Sequence, residues 1–445
     1  MNWWSKLLGD GERKPPKTLD EWLVEARSHD GYVREAAAKA LGRSGQGRAL
    51  PMLLERANDW VPEVRHAARQ AVGVFLQEGS IGPWVSVLGQ VAALRRASRA
   101  DHSALLQGIE AFLLRPDHLW ALHAVQDELT PEALRFLFDL QIRVVADDEG
   151  RSQAVQSALA SRDVVVASMG VAAIEALQAP ARRLALAGEA CRSRFASVRA
   201  NGLRVALRSG DPAAARLAAD LGLDPSAGVR AIALAALAGS TGPVVDRARS
   251  VFQQGVRARE RAVALDVLCT LDPDGALALS ELARSDPAHA VRRTAYIRRF
   301  AGAQGAERDE LVLPALQDES PRVRSVAVVQ VGQGAAAPSG DTLLGLARAR
   351  PVALGSLVSV AVHLPPWERL VFLLDALQDL AHVDAVAGRL HEALERWGRD
   401  TAKSFVSPTP EQRPRVTQRW ALLRDGLPVS LQKPLAFHLQ SFGLL

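Results

Sequence analysis

Asp59-Trp60-Val61-Pro62-Glu63-Val64-Arg65-His66-Ala67-Ala68 is the phrase that decides how this sequence folds. It returns as Asp224-Pro225-Ser226-Ala227-Gly228-Val229-Arg230, as Asp286-Pro287-Ala288-His289-Ala290-Val291-Arg292 and as Asp318-Glu319-Ser320-Pro321-Arg322-Val323-Arg324. The arginines keep time. Arg199, Arg230, Arg261 and Arg292 follow at steps of 31 residues, Arg324 comes 32 later, and Arg34 and Arg65 are again 31 apart. A fixed period of roughly 20–50 residues is the signature of stacked supersecondary units, none of which can bury its apolar face alone.

Each unit reads as two helices. Three residues after the phase arginine comes a small residue: Ala37, Ala68, Gly202, Ala233, Ala264, Ala295 or Ala327. An apolar residue usually follows four later, at Leu41, Val72, Ala206, Leu237, Leu268 and Val331. That spacing lays a stripe along one helix face, and the small residue predicts close approach of a neighbouring helix. Asp-Pro or Asp-Xaa-Xaa-Pro ahead of the stripe is a turn and helix-start signal. A second apolar run precedes each turn, such as Pro212 to Leu221, Pro243 to Phe252 and Ala276 to Ala283. Weaker copies that keep the stripe and lose the arginine fall at Ser168 and Gly355.

The Asp-Xaa-Xaa-Pro-Xaa-Val-Arg-Xaa-Ala-Ala phrase at 59–68, with its copies at 224–233, 286–295 and 318–327, resembles HEAT repeats, in the short variety of phycobilisome-lyase-like proteins. The resemblance covers most of 20–362. It implies an all-α, armadillo-like fold: a right-handed α-α superhelix, or HEAT-like solenoid, with a helical C-terminal cap. It also implies a ladder between neighbouring repeats, carried here by Asp59, Arg65, Asp224, Arg230, Asp286, Arg292, Asp318 and Arg324. Elementary electrostatics agrees, since an arginine in the first turn of a helix opposes the macrodipole and needs an anionic partner.

Three regions follow along the chain. Residues 1–18 read as a flexible tail, with Gly9 to Lys17 separating Trp3-Trp4 from the body. Residues 19–364 read as the repeat array, starting at a capping box of Thr18 and Glu21. Within it 80–165 is irregular, because Arg65 to Ser168 is 103 residues, not a multiple of 31. From Pro365-Pro366 the text changes to longer helices, and 365–445 reads as an extension capping the array.

Signatures of chemistry are sparse. No His-Glu-Xaa-Xaa-His, paired cysteine, phosphate-binding glycine loop or nucleophile elbow occurs, so the sequence points to no catalytic, metal-binding or cofactor-binding residue. His118 and His123, five apart, fall on different helical faces. Cys191 and Cys269 sit in apolar helical runs and read as small core residues. The chain shows no secretory leader and no uninterrupted apolar run of spanning length, which sets the expectation of a cytoplasmic, bacterial protein.

Charge says more. Residues 180–261 hold 14 arginines and six acids, a net of +8 against +5 for the whole chain, so the remainder is net acidic. Arg192, Arg194, Arg257 and Arg259 fall near turns, and stacking is expected to align them along one edge with Arg293 and Arg322. The first expectation is a non-catalytic monomeric scaffold that binds a protein partner with an acidic surface. A nucleic-acid-binding array is the second, and is less favoured because aromatics do not interleave with the basic residues. A lyase-type or chaperone-type HEAT protein is the third. Trp3 and Trp4 suggest a short amphipathic foot for peripheral contact with the inner membrane or a partner groove.

Overall fold

The computed structural model describes residues 17–77, 80–145, 147–383, 386–401 and 405–445, with the side chains of His123 and Val144 set aside. The tail with Trp3 and Trp4 lies outside them. The described residues form helices joined by turns, with no strand. Among the described residues the fold is all-α, with HEAT-like stacking of helix pairs within each unit. Its contacts divide it into two compact units, one ending at Ala218 and one from Ala219 to Leu445.

The first unit opens on the capping box. The N–H of Thr18 donates to Glu21 Oε2 at 2.6 Å and the N–H of Glu21 donates to Thr18 Oγ1 at 3.3 Å. This satisfies two of the donors that a helix start leaves orphaned. Leu19–Glu25 packs on Gly31–Ser44, and that helix packs on Pro62–Gln77. Leu41, Leu50, Leu53, Val72, Trp84, Leu88 and Phe112 share one core with Ile109 and Leu140.

The small residue after each phase arginine is the seam on which this packing rests. Ala37, Ala68, Ala233, Ala264, Ala295 and Ala327 are all fully buried. At Gly202 a methyl group would come within 2.6 Å of Ala190 Cβ, so the position tolerates hydrogen and nothing larger. The same close approach recurs at Gly42 against Ala71 Cβ and at Gly170 against Ala158 Cβ.

The irregular segment is built of short pieces. Gly82–Val85, Leu88–Leu94, Ser103–Leu113 and Pro116–Ala124 replace two full helix pairs. A turn ending at His102 docks against the preceding repeat. Arg69 Nη2 lies 2.9 Å from His102 Nδ1, and His102 Nε2 lies 3.1 Å from Asn58 Oδ1. Burial, then the neighbouring Arg69 charge, push the His102 pKa down. A guanidinium can only donate, so Nδ1 accepts from Arg69 and Nε2 is left to donate to the amide oxygen of Asn58.

In the second unit one core runs from Tyr296 to Leu444. The segment from Pro365 onward is thus continuous in its packing with the last repeats. Pro366–Leu380 is buried on nearly every side, the pattern of a helix enclosed by others. Trp367 meets Trp397 edge-on at 5.7 Å and Phe442 at 5.0 Å. Their indoles donate to the carbonyls of Val406 and Pro366, both at 2.6 Å. Asp375, almost fully buried, accepts from Arg415 Nη2 at 2.6 Å and Arg419 Nε at 2.5 Å. Cys191, in the first unit, is buried and its thiol is pushed up to about 11 by burial, and the half-buried Cys269 lies 3.2 Å from Ser280 Oγ.

The seam predicts a sharp contrast within one helix. Ala233→Leu overfills a fully buried position and is expected to lower stability to urea by about 1–3 kcal/mol. Ala231→Leu, two residues away on the exposed face, is expected to change it by less than about 0.5 kcal/mol. Equal losses would show that the seam is not where the helices meet.

Candidate interaction groove and the arginine ladder

Every phase arginine makes the same first contact. Its Nη1 turns back on the start of its own repeat and donates to the carbonyl six residues earlier: Arg34 to Ser28, Arg65 to Asp59, Arg199 to Ser193, Arg230 to Asp224, Arg261 to Gly255, Arg292 to Asp286 and Arg324 to Asp318, all at 2.8–3.0 Å. Most reach the next carbonyl too, as Arg292 does to Pro287 at 3.0 Å. These carbonyls stand in the turn between the two helices, where no helical N–H can satisfy them.

The opposite edge of the guanidinium reaches the next repeat. Arg34 Nε and Nη2 donate to the two carboxylate oxygens of Asp59 at 3.0 and 2.9 Å. Arg292 grips Asp318 the same way at 2.7 and 3.0 Å. Arg261 Nη2 donates to Asp286 at 2.9 and 3.3 Å. Each aspartate also accepts the N–H two residues on: Val61 at 3.0 Å, Ala288 at 2.8 Å and Ser320 at 2.8 Å. Asp224 accepts Ser226 N–H in like fashion at 2.7 Å. The aspartate gives its own repeat's arginine a backbone carbonyl and the previous repeat's arginine a carboxylate.

Three ladder positions depart from this. Arg65 bonds to the carbonyls of Asp59 and Trp60 and meets no carboxylate among the described residues. Arg230 pairs with Asp266, which also accepts from Arg298 Nε at 2.7 Å. The cause is local: the turn that should face Arg230 reads Gly255-Val256-Arg257 and has no aspartate. Arg324 meets Arg350 where an aspartate is due. Conversely, the irregular segment holds a pair that the periodicity did not indicate: Arg135 Nη2 donates to Asp163 at 2.8 Å.

Burial alone pushes Asp59 and Asp318 up, yet the hydrogen bonds from Arg34 and Arg292, with the N–H groups of Val61 and Ser320, hold both below the usual carboxylate range. A folded-state value below the unfolded one contributes stability that is present above about pH 4 and lost as pH falls through the folded value.

Beside the ladder in the second unit lies a groove of about 650 Å³. Arg259, Ala262, Val263 and Asp266 come from helix Ala258–Leu271, and His289, Ala290, Arg293, Thr294 and Ile297 from His289–Gly302. Arg322 and Ser325 come from Pro321–Gly332, and Pro225 with Arg230 close it. Relative to the phase arginine these are largely positions two before and one, two and five after, which form one helix face. Arg322 Nη1 lies 3.2 Å from His289 Nε2. Arg259, Arg293 and Arg322 are exposed, and the lone carboxylate, Asp266, is already shared by Arg230 and Arg298.

The groove therefore gathers Arg259, Arg293 and Arg322. Arg257 lies outside it, exposed at the helix start, with Nη1 3.3 Å from Glu260. Arg192 and Arg194 are exposed in a turn of the first unit, where Arg192 Nη1 donates to Gly188 O at 3.3 Å. The sequence reading grouped arginines by turn and missed His289, Asp266 and Ile297. The signal that finds Asp266 and Ile297 is the face two before and one and five after each phase arginine, and His289 adjoins that face three before Arg292. Among the described residues no cluster of three or more His, Cys, Asp or Glu is placed to hold a metal ion, and no helix is long and apolar enough to cross a membrane.

A family model of HEAT repeats matches residues 6–73, so HEAT repeats are present in the chain. No curated protein matches the sequence significantly. Among solved structures, importin β is similar at 12% identity over 92% of this chain and 63% of that one, with a TM-score of 0.38. A chain from the structure of Kap95p with RanGDP is similar at 11% over 96% and 63%, with a TM-score of 0.34. A chain of the AP-3 complex is similar at 12% over 95% and 82%, with a TM-score of 0.30. The chain thus spans less than two thirds of the length of the first two.

Arg292→Ala leaves the part-buried Asp318 without its fork and is expected to cost roughly 2–4 kcal/mol in urea unfolding. Arg65→Ala, with no carboxylate to strand, is expected to cost roughly 0.5–1.5 kcal/mol. Similar losses would remove the carboxylate from the account. In a pH titration, the gap between wild type and Arg292→Ala is expected to close on acidification below about pH 4. A gap that persists at pH 2 would contradict the assigned ion pair.

Proposed function

We propose that this chain is a non-catalytic HEAT-like scaffold whose second-unit groove holds an acidic segment of a protein partner. The observation that carries the reading is the row of Arg259, Arg293 and Arg322 on one face of the phase-arginine helices of three successive repeats. Their charge is unspent inside the fold, in contrast to the ladder arginines beside them. Ile297 is 38% exposed in the same groove, and Val329, at the same position of the following repeat, is 53% exposed. Basic residues with interleaved aliphatics suit a segment that alternates carboxylates with apolar side chains. Nucleic acid is less well served, since the lining offers no Phe, Tyr or Trp on which a base can stack and a single imidazole, that of His289. A monomeric state and a cytoplasmic location belong to this proposal. The membrane foot at Trp3 and Trp4 stands outside the described residues and adds nothing to it.

The test is a pull-down from the native host with the wild type and with Arg259→Glu, Arg293→Glu and Arg322→Glu combined. The reading expects the principal partner to fall at least tenfold, with an unchanged helical signal and melting temperature. Arg192→Glu with Arg194→Glu is expected to leave capture intact. Capture indifferent to the three reversals would defeat the groove as the binding site. Retardation of unrelated DNA or RNA at physiological salt, with a steep salt dependence, would instead make the ligand nucleic acid.

A further inference from the structure

The arginine ladder has one rung with two cations and no anion. Arg324 is 3% exposed and donates Nη1 to the carbonyls of Asp318 and Glu319 at 2.9 and 2.8 Å, as its counterparts do. In the rungs of Arg34 and Arg292, the Nε and Nη2 edge takes both oxygens of an aspartate carboxylate. In Arg324 that edge meets no carboxylate among the described residues. Nε is buried and has no hydrogen-bond partner, and Nη2 reaches only the Val352 carbonyl, at 3.5 Å. Other arginines also have a buried Nε without a partner, but Arg324 is the one whose whole side chain is buried.

The surroundings add positive charge where the rungs of Arg34, Arg261 and Arg292 have negative. The aspartate that the period places 32 residues after Asp318 is Arg350, half-buried, whose Nη1 donates to Gln317 O at 2.9 Å. Asp318, the nearest carboxylate, is already gripped by Arg292, as is Glu319. The Val352 carbonyl that Nη2 reaches belongs to the turn Pro351–Ala353, where the Val352 side chain is 76% exposed. Burial, and then the charge of Arg350, lower the Arg324 pKa, the reverse of the raised value at Arg292.

We infer that Arg324 and Arg350 form a binding site for a carboxylate or another small oxyanion, which takes the place that an aspartate holds in the rungs of Arg34, Arg261 and Arg292. Planar bidentate recognition is what an arginine fork does best, and the site lies where desolvation strengthens it. The source is either a free anion or an acidic side chain brought by a partner. The inference is independent of the groove, since it rests on different residues and its readout needs no partner.

The experiment is thermal unfolding of the full chain in chloride, acetate or phosphate at equal ionic strength and pH. Wild type is expected to melt several degrees higher in acetate or phosphate than in chloride, in a saturable manner. Arg350→Asp rebuilds the rung from within. It is expected to raise the melting temperature in chloride and to abolish the difference between anions. Arg350→Ala is expected to need at least threefold more anion for half the effect. For the source, a short Glu-containing peptide that raises melting at tenfold lower concentration than acetate would point to a partner's side chain, and equal concentrations to a free anion. Identical melting of wild type in all three salts would overturn the inference, as would an undiminished anion response in Arg350→Asp.

Discussion

A guanidinium buried between two helix pairs must find an acceptor on each of its edges, and the stack depends on how this one does so. One edge ties down carbonyls that the turn strands, and the other crosses to the next repeat's aspartate. That aspartate in turn holds the N–H of Ser320, the residue just before the following helix. A single pair thus closes the turn, ties down the entry to the next helix and fixes the register between neighbours. An isolated buried ion pair is weak evidence for stability, because desolvation can exceed the Coulombic gain. Here the remaining donors and lone pairs are satisfied by backbone groups that would otherwise be orphaned, and that tips the balance.

The alanine seam works with the ladder. Small side chains let helices approach until the fork can span the gap, and a larger residue would push the aspartate out of reach. Where the seam and the ladder both lapse, in the segment after Arg65, the chain falls back on other devices. His102 bridges Asn58 and Arg69, and Arg135 pairs with Asp163. The second unit ends on a different solution again, an aromatic cluster of Trp367, Trp397 and Phe442 with Asp375 held by Arg415 and Arg419.

Much of this was legible in the sequence because the period repeats the physics. The phase arginine, the small residue after it and the turn aspartate recur in text as they do in space. The partner of each arginine was less legible. Asp59 belongs to Arg34 and Asp318 to Arg292, so the pair is read across a repeat and not within the phrase that displays both residues. Arg230 shows why the text misleads: its expected turn lacks an aspartate, and Asp266 serves from a helix face that the phrase does not mark. The groove was half legible. Arg259, Arg293 and Arg322 stood out as charges, but grouping them by turn joined them to Arg257, which the helix start directs elsewhere. Irregular repeats carry no period, so nothing in the text announced the docking of His102.

The central claim is that the fork couples adjacent repeats. A double-mutant cycle on Arg292 and Asp318, using Arg292→Ala, Asp318→Ala and the double variant in urea unfolding, measures that coupling directly. The account predicts a coupling energy of at least about 1.5 kcal/mol, the double variant being far less damaged than the sum of the singles. Additive losses, within about 0.5 kcal/mol, would mean that each side chain acts only within its own repeat.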